Sequence, residues 1–245
     1  MSLRITFLTA GRILRQLLND RRTVVLILAV PSLMIALISA IMDAAPQAFD
    51  TVGLILLAFF PFMMMFMITS ITLLRERTGG TLERLMTTPT GKLDLVCGYA
   101  IAFGAAAAAQ TAIAAAVAYL FLGLDTAGPA WAVFLIAIVA SLFGMALGLF
   151  VSAFATTEFQ AIQFMPVFVV PQLLLCGLIW PRDQMAGWLQ GVSDALPVTY
   201  AVKALTEVQT HPDVTAAMWG NLAVVAAAVL VATALGAATL RRRTN

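Results

Sequence analysis

The chain has 245 residues, 62% of them hydrophobic and 11% charged, with a formal net charge of +2 and a mean hydropathy of +0.98. Soluble domains carry about 25% charged residues, so lipid is the expected solvent and membrane lipids are expected partners; a nucleic-acid partner is not. His211 is the single histidine and Cys97 and Cys176 the two cysteines, which excludes most zinc and haem chemistry; no metal site is expected.

In lipid, backbone polar groups must be satisfied internally, by helices or closed barrels. Barrel strands alternate apolar and polar over roughly ten residues. The apolar runs here are unbroken and near twenty residues long, which selects helices. The expected fold is an all-α membrane protein of one domain, 1–245. It has six transmembrane helices, an N-terminal interfacial helix over 1–22, and a re-entrant or broken helical segment between spans five and six.

Residues 3–18 set Leu3, Phe7, Leu14, Leu17 and Leu18 on one helical face, away from Arg4, Arg12 and Arg15. That pattern suits a helix lying in the membrane interface; as the n-region of a signal peptide it would be unusually long. Val24–Ile41 is the first span, bent at Pro31, and Thr51–Leu74 the second, rich in Phe and Met. Leu93–Leu122 is the third. Trp131–Ala155 is the fourth, with Ala140, Gly144 and Gly148 at four-residue spacing, a small-residue packing seam. A turn through Thr156, Thr157 and Glu158 leads to the fifth, Phe159–Ile179, interrupted by Pro166 and Pro171. Glu158 and Gln160 read as a solvated turn or as a contact for a polar headgroup.

Residues 180–215 form the extracytoplasmic re-entrant segment and loop. Met185, Trp188, Leu189, Val192 and Leu196 keep helical spacing, Asp183 is a candidate cap, and Tyr200–Thr215 reads as an exposed linker. Ala216–Leu240 is the sixth span. Trp131, Trp180, Trp188 and Trp219 are expected at the membrane interface. With the N-terminus, the segment 75–92, the Thr156 turn and the tail in the cytoplasm, twelve of the fourteen Lys and Arg lie inside; Arg182 and Lys203 are the exceptions. The positive-inside rule therefore puts both termini in the cytoplasm.

The longest polar interruption is Leu74–Lys92, LRERTGGTLERLMTTPTGK. Gly79-Gly80 breaks the second span. Thr81–Met86 can form a short helix with Glu83 in its first turn, where the dipole favours an acid, and with Leu82, Leu85 and Met86 as its apolar face; Thr88-Pro89 ends it. Physics alone leaves two readings open: a docking surface for a cytoplasmic protein, or a solvated loop that fixes topology.

The stretch RERTGGTLERLMTTPTGKLDLVCGY resembles the segment after the second span in ABC-2 type exporter permeases of the daunorubicin-resistance and nodulation-export kind. Glu76-Arg77, Gly80-Thr81-Leu82-Glu83-Arg84-Leu85 and Thr88-Pro89 carry the match; Thr78 stands where the family tends to have an acid. A second block is similar to the family's sequence after the fifth span, through Pro181, Trp188-Leu189 and Leu196-Pro197-Val198-Thr199-Tyr200. The resemblance implies a bacterial inner-membrane permease subunit of an ATP-driven exporter. It implies a second permease copy or paralogue and two ATPase subunits as partners. Gly80–Met86 would then be the coupling helix, with Arg75, Glu76 and Arg77 at the hinge. The chain has no G-x-x-x-x-G-K-[ST] loop, so no cofactor is expected on it; ATP and Mg2+ would be bound by the partner.

Phe59, Phe60, Phe62, Met63, Met65, Phe66 and Met67 on the second span, with Phe164 and Phe168 on the fifth, form a soft apolar set. It suits either a pathway for a drug, lipid or glycolipid, or helix packing. An ion-coupled secondary transporter would need ionisable residues at mid-span, and a lipid-modifying enzyme would need clustered acids, His or a nucleophile at one depth. The spans show neither. A non-enzymatic membrane assembly factor is the remaining alternative.

Overall fold

A computed structural model describes residues 3–80 and 91–239, apart from the side chains of Lys92 and Leu93. These residues form the helices α1 (Leu3–Asn19), α2 (Arg21–Ile41), α3 (Pro46–Thr78), α4 (Lys92–Phe121), α5 (Ala130–Val151), α6 (Glu158–Leu175), α7 (Gly187–Asp194), α8 (Pro197–Thr210) and α9 (Ala216–Thr239), with a 3-10 turn at Arg182–Gln184. No strand occurs among the described residues. Six of the helices, α2–α6 and α9, are long and apolar enough to cross a membrane. The predicted segment Thr81–Met86 lies outside the described residues.

Local chemistry sets many of the boundaries. The Asp20 side chain caps α2 by accepting from the Thr23 N–H at 3.2 Å, and Thr157 caps α6 by accepting from the Gln160 N–H at 3.2 Å. Pro46 and Pro197 open α3 and α8, where a missing N–H costs nothing. Gly80, at φ +68°, lets the chain turn away after α3. Pro166 and Pro171 do not interrupt the fifth span; α6 runs unbroken through both.

The helix α3 is the axis of the bundle. At about 1.5 Å per residue it is roughly 50 Å long, against a hydrocarbon core of about 30 Å. Its polar ends, including Arg75-Glu76-Arg77, therefore reach past the apolar slab. Its most extensive packing is against α5, through the predicted seam. A Cβ on Gly144 would fall on the Phe62 carbonyl oxygen, and one on Gly148 on the Phe66 carbonyl oxygen. The Phe62 ring stacks on Phe143 at 5.8 Å. The matched steps 62 to 144 and 66 to 148 make α3 and α5 parallel, as an up-down order of spans requires.

The predicted interfacial helix has a second working face. Leu3, Phe7 and Leu18 are exposed as expected, but Thr6, Thr9, Ala10 and Ile13 are buried. That face packs on α4, where the Thr9 side chain lies 2.7 Å from the place a Cβ on Gly98 would take.

At the other end of the bundle the expected exposed linker is not one. Most of Tyr200–Thr215 belongs to α8, which buries Ala201, Val202, Ala204, Leu205 and Val208. Their helical spacing was present in the sequence, masked by Lys203, Thr206, Glu207 and Gln209 on the opposite face. Asp183 caps nothing; it lies inside the 3-10 turn, and Ala186 precedes α7 with no side-chain cap. A polar knot ties the segment together instead. Ser193 donates to the Leu175 carbonyl at 2.7 Å and accepts from Arg182 Nε at 2.8 Å. Asp194 pairs with Arg182 at 2.6 Å and Lys203 at 3.3 Å. Trp131, Trp180, Trp188 and Trp219 are all exposed; the Trp131 and Trp219 rings lie 6.4 Å apart, where the N-termini of α5 and α9 meet. Cys97 and Cys176 are both free.

Gly148→Val should lower stability by about 3 kcal/mol, the upper range for overpacking, because a backbone carbonyl has to move. Gly220→Ala, which meets open space, should leave the thermal midpoint unchanged or raised. Hydrogen bonds from Arg182 and then Lys203 hold the Asp194 carboxyl below the ordinary aspartate value. A lowered carboxyl stabilises above its unfolded pKa, and that contribution is lost as pH falls through the folded one. The midpoint difference between the chain and Asp194→Asn should be complete at about pH 6 and vanish well below about pH 4.

Candidate functional site

The last turn of α3 is the meeting point of the bundle's charged end. Its three consecutive charged side chains leave the helix in different directions and engage four other helices. Arg75 donates through Nε and Nη2 to the two carboxylate oxygens of Glu158 at the start of α6, at 2.7 and 2.9 Å. Glu76 turns inward. Its carboxylate is buried, pairs with Arg12 of α1 at 3.1 Å, and accepts from the Tyr99 hydroxyl of α4. Arg77 is directed to the end of α9, with Nη2 3.5 Å from the Thr239 hydroxyl.

Each contact has a physical reason. Arg75 and Arg77 sit at a helix C-terminus, where cations are favoured; Glu76 does not gain from that field and needs its partners. A buried carboxylate without a counter-charge is strongly unfavourable. Arg12 supplies the charge and Tyr99 a directed hydrogen bond. Tyr99 is itself fully buried and stacks on Phe103 at 5.9 Å. Beside it Asp94 closes the start of α4, accepting from the Gly91 N–H at 3.1 Å and from the Thr6 hydroxyl of α1 at 3.3 Å. The Arg75–Glu158 pair is exposed on both sides, so it contributes little to stability and holds orientation instead.

These contacts put the N-termini of α2, α4 and α6 and the C-termini of α3 and α9 at one end of the bundle, with α1. Both described ends of the chain therefore lie on the same side, as the even number of spans requires. Glu158, weighed in the sequence as a solvated turn, is a fixed partner of Arg75. Gln160 folds back to accept from the Thr156 N–H at 2.9 Å. The ion pair with Arg12 and the bond from Tyr99 were not legible: they join residues 64 and 23 positions from Glu76.

Of the expected coupling residues, Arg75, Glu76, Arg77 and Gly80 are placed, and each of the first three engages at least one other helix. Thr81, Leu82, Glu83, Arg84, Leu85 and Met86 lie outside the described residues. The expected pathway set does not form one lining. Phe59, Phe62 and Phe66 are buried, with Phe62 and Phe66 against the glycine seam of α5. Met63, Phe164 and Phe168 are partly buried against the same core.

A cavity of about 710 Å3 lies instead beside α1, α2 and the opposite face of α3. Its apolar body is formed by Ile27 and Val30 of α2, Met64, Met67 and Ile71 of α3, and Phe103 of α4. Gln16, Asp20, Thr23, Arg75 and Glu76 line its polar part. Of the apolar set picked from the sequence, Met67 lines this wall; Met64 beside it was not picked.

Tyr99→Phe should lower stability by about 1.5–3 kcal/mol, the range for a hydrogen bond to a charged group. In a Glu76→Gln background the same change should cost much less. A double-mutant cycle on thermal or denaturant unfolding measures that coupling; purely additive effects would contradict the arrangement.

Comparison with known proteins agrees with this architecture. The family model for the ABC-2 type transporter matches residues 4–210. ABC transporter G family member 20 of Dictyostelium discoideum is 27% identical over 141 residues, 58% of this chain and 19% of the relative. The linearmycin resistance permease protein LnrN of Bacillus subtilis is 26% identical over 137 residues, 56% of this chain and 35% of the relative. The probable multidrug ABC transporter permease YbhR of Escherichia coli is 25% identical over 155 residues, 63% of this chain and 42% of the relative. The matched stretches thus cover less than half the length of each relative. With six apolar helices and a family match over most of its length, the chain belongs to the ABC-2 type transporter family and is a transmembrane part of an ABC transporter.

Proposed function

We propose that the chain is the permease subunit of an ATP-driven exporter. It carries a hydrophobic or amphiphilic solute such as a drug, lipid or glycolipid out of the cytoplasm. Two separate ATPase subunits drive it, with a second permease copy or a paralogue alongside. The charged end of the bundle faces the cytoplasm of a bacterial cell, so that both termini are inside. The assignment of cargo class draws on the linearmycin resistance and multidrug permeases among its relatives.

The observation that carries the coupling reading is the convergence at the end of α3. Gly80–Met86 follows directly on a turn whose side chains engage α1, α4, α6 and α9. A displacement delivered there by an ATPase has four helices to move. Coupling of this kind requires an element whose equilibrium both partners bias; the contacts of the Arg75-Glu76-Arg77 turn support reading it as that element. The secondary-transporter reading finds no support, since the buried acids Glu76 and Asp94 lie in the last turn of α3 and the first turn of α4 and not at mid-span.

The purified chain should show no ATP turnover by itself. In the complex reconstituted with its ATPase, Glu83→Ala combined with Leu85→Ala should abolish substrate-stimulated turnover while expression and membrane insertion are retained. Turnover at the unaltered rate would refute the coupling assignment.

A further inference from the structure

The cations of the described residues fall into two groups. Arg12, Arg75 and Arg77 at the charged end, and Arg182 and Lys203 at the other, each engage a side chain of the protein. Arg4, Arg15, Arg21 and Arg22 do not. All four are exposed, and among the described residues none of them has a hydrogen bond or an ion pair. They lie on α1 and in the first turn of α2. The positive-inside rule asks only for positive charge on one side of the membrane. It does not ask that the free guanidiniums gather on two adjoining helices while the others are paired.

Each of the four stands beside exposed apolar surface. On α1, Arg4 and Arg15 share one stripe, about three turns apart, next to the stripe of exposed Leu3, Phe7 and Leu18. On α2, Arg22 heads a single helical face that continues through Leu26, Leu33 and Leu37. All three leucines are exposed. Arg21 stands one turn before exposed Val25 in the same way. Asp20 is the one acid among these arginines, and its carboxylate is committed to capping, accepting from the N–H and the hydroxyl of Thr23. The corner of α1 and α2 thus sets unpaired cations at the head of an apolar strip. That is the order of an anionic head and its acyl chain. Guanidinium forks suit phosphate oxygens, and basic clusters beside a span or on an amphipathic helix attract anionic lipids.

We infer that the corner of α1 and α2 is a binding site for an anionic phospholipid. The phosphate lies at Arg21 and Arg22, with Arg15 and Arg4 adding to the positive field along α1, and an acyl chain lies along Leu26, Leu33 and Leu37. The inference concerns the contact of this chain with one leaflet and does not depend on the transporter reading.

The test uses the full chain in phosphatidylcholine vesicles at low salt. The probe is phosphatidylglycerol with a photoreactive diazirine midway along one acyl chain, and the matching phosphatidylcholine is the control. Saturable labelling of α2 between Leu26 and Leu37 is expected, competed by plain phosphatidylglycerol and not by phosphatidylcholine. The control lipid should label this stretch about tenfold less, the combined effect of guanidiniums near one anionic head. High salt should shrink the preference, because these cations are exposed. The helix α6 serves as the internal reference: it exposes Val167 and Leu174, and Glu158 at its charged end is paired. Both lipids should label it equally. Arg15→Gln, Arg21→Gln and Arg22→Gln together should abolish the preference on α2 and leave α6 as it was.

Equal labelling of α2 by the two lipids would overturn the inference. So would the same preference on α6, a preference that high salt leaves intact, or one that the triple variant retains. If that variant does not insert, the comparison of the two lipids and its salt dependence decide. Absence of saturable labelling on α2, with ready disulfide formation between copies carrying Leu33→Cys, assigns the strip to a second copy of the chain and overturns the lipid site as well.

Discussion

The buried carboxylate of Glu76 is the constraint on which the charged end of the bundle depends. An acid in the last turn of a helix opposes the helix dipole, and burial removes the water that would compensate. Arg12 from α1 supplies a counter-charge to the carboxylate and Tyr99 from α4 a hydrogen bond. That requirement ties an amphipathic N-terminal helix to the middle of the bundle. It also explains why the inner face of α1 is made of Thr6, Thr9, Ala10 and Ile13. Thr6 and Thr9 are small enough to let α1 close onto Gly98 and bring Arg12 within reach of Glu76.

Around this point the bundle is unequal in its packing. The pair α3 and α5 share a glycine seam in which backbone meets backbone, a contact that tolerates almost no displacement. The spans α2, α6 and α9 are much less buried and expose large apolar side chains such as Leu33, Val167 and Leu230. The end of α3 is thus joined to a stiff core through α3 itself, and to the outer helices through discrete polar ties. The exposed Arg75–Glu158 pair is the tie to α6, and Arg77 approaches the end of α9. Polar ties of this kind can exchange partners at little cost, whereas the glycine seam cannot.

The cavity follows from the same geometry. The helix α3 uses one face for α5, and the paired Arg12 and Glu76 hold α1 across its far end. Between α1, α2 and the opposite face of α3 the side chains do not fill the space. An apolar body with a charged mouth is thus a by-product of the way α1 is fastened.

Much of the fold was legible from the sequence, because transmembrane helices are written locally. Hydrophobic length defined all six spans to within a few residues at most ends, and four-residue spacing of Ala140, Gly144 and Gly148 marked the seam. The importance of Arg75-Glu76-Arg77 was legible only through the family resemblance. Periodicity said that Phe59, Phe62 and Phe66 lie in an apolar helix; it did not say which face meets α5 and which meets a cavity. Tertiary structure alone decided that Glu76 turns inward, that Arg12 and Tyr99 are its partners, and that residues 197–210 pack as α8. The physical reason is that a charge in one dimension has only its neighbours, while its energy is set by desolvation and by partners that folding brings from distant turns of the chain.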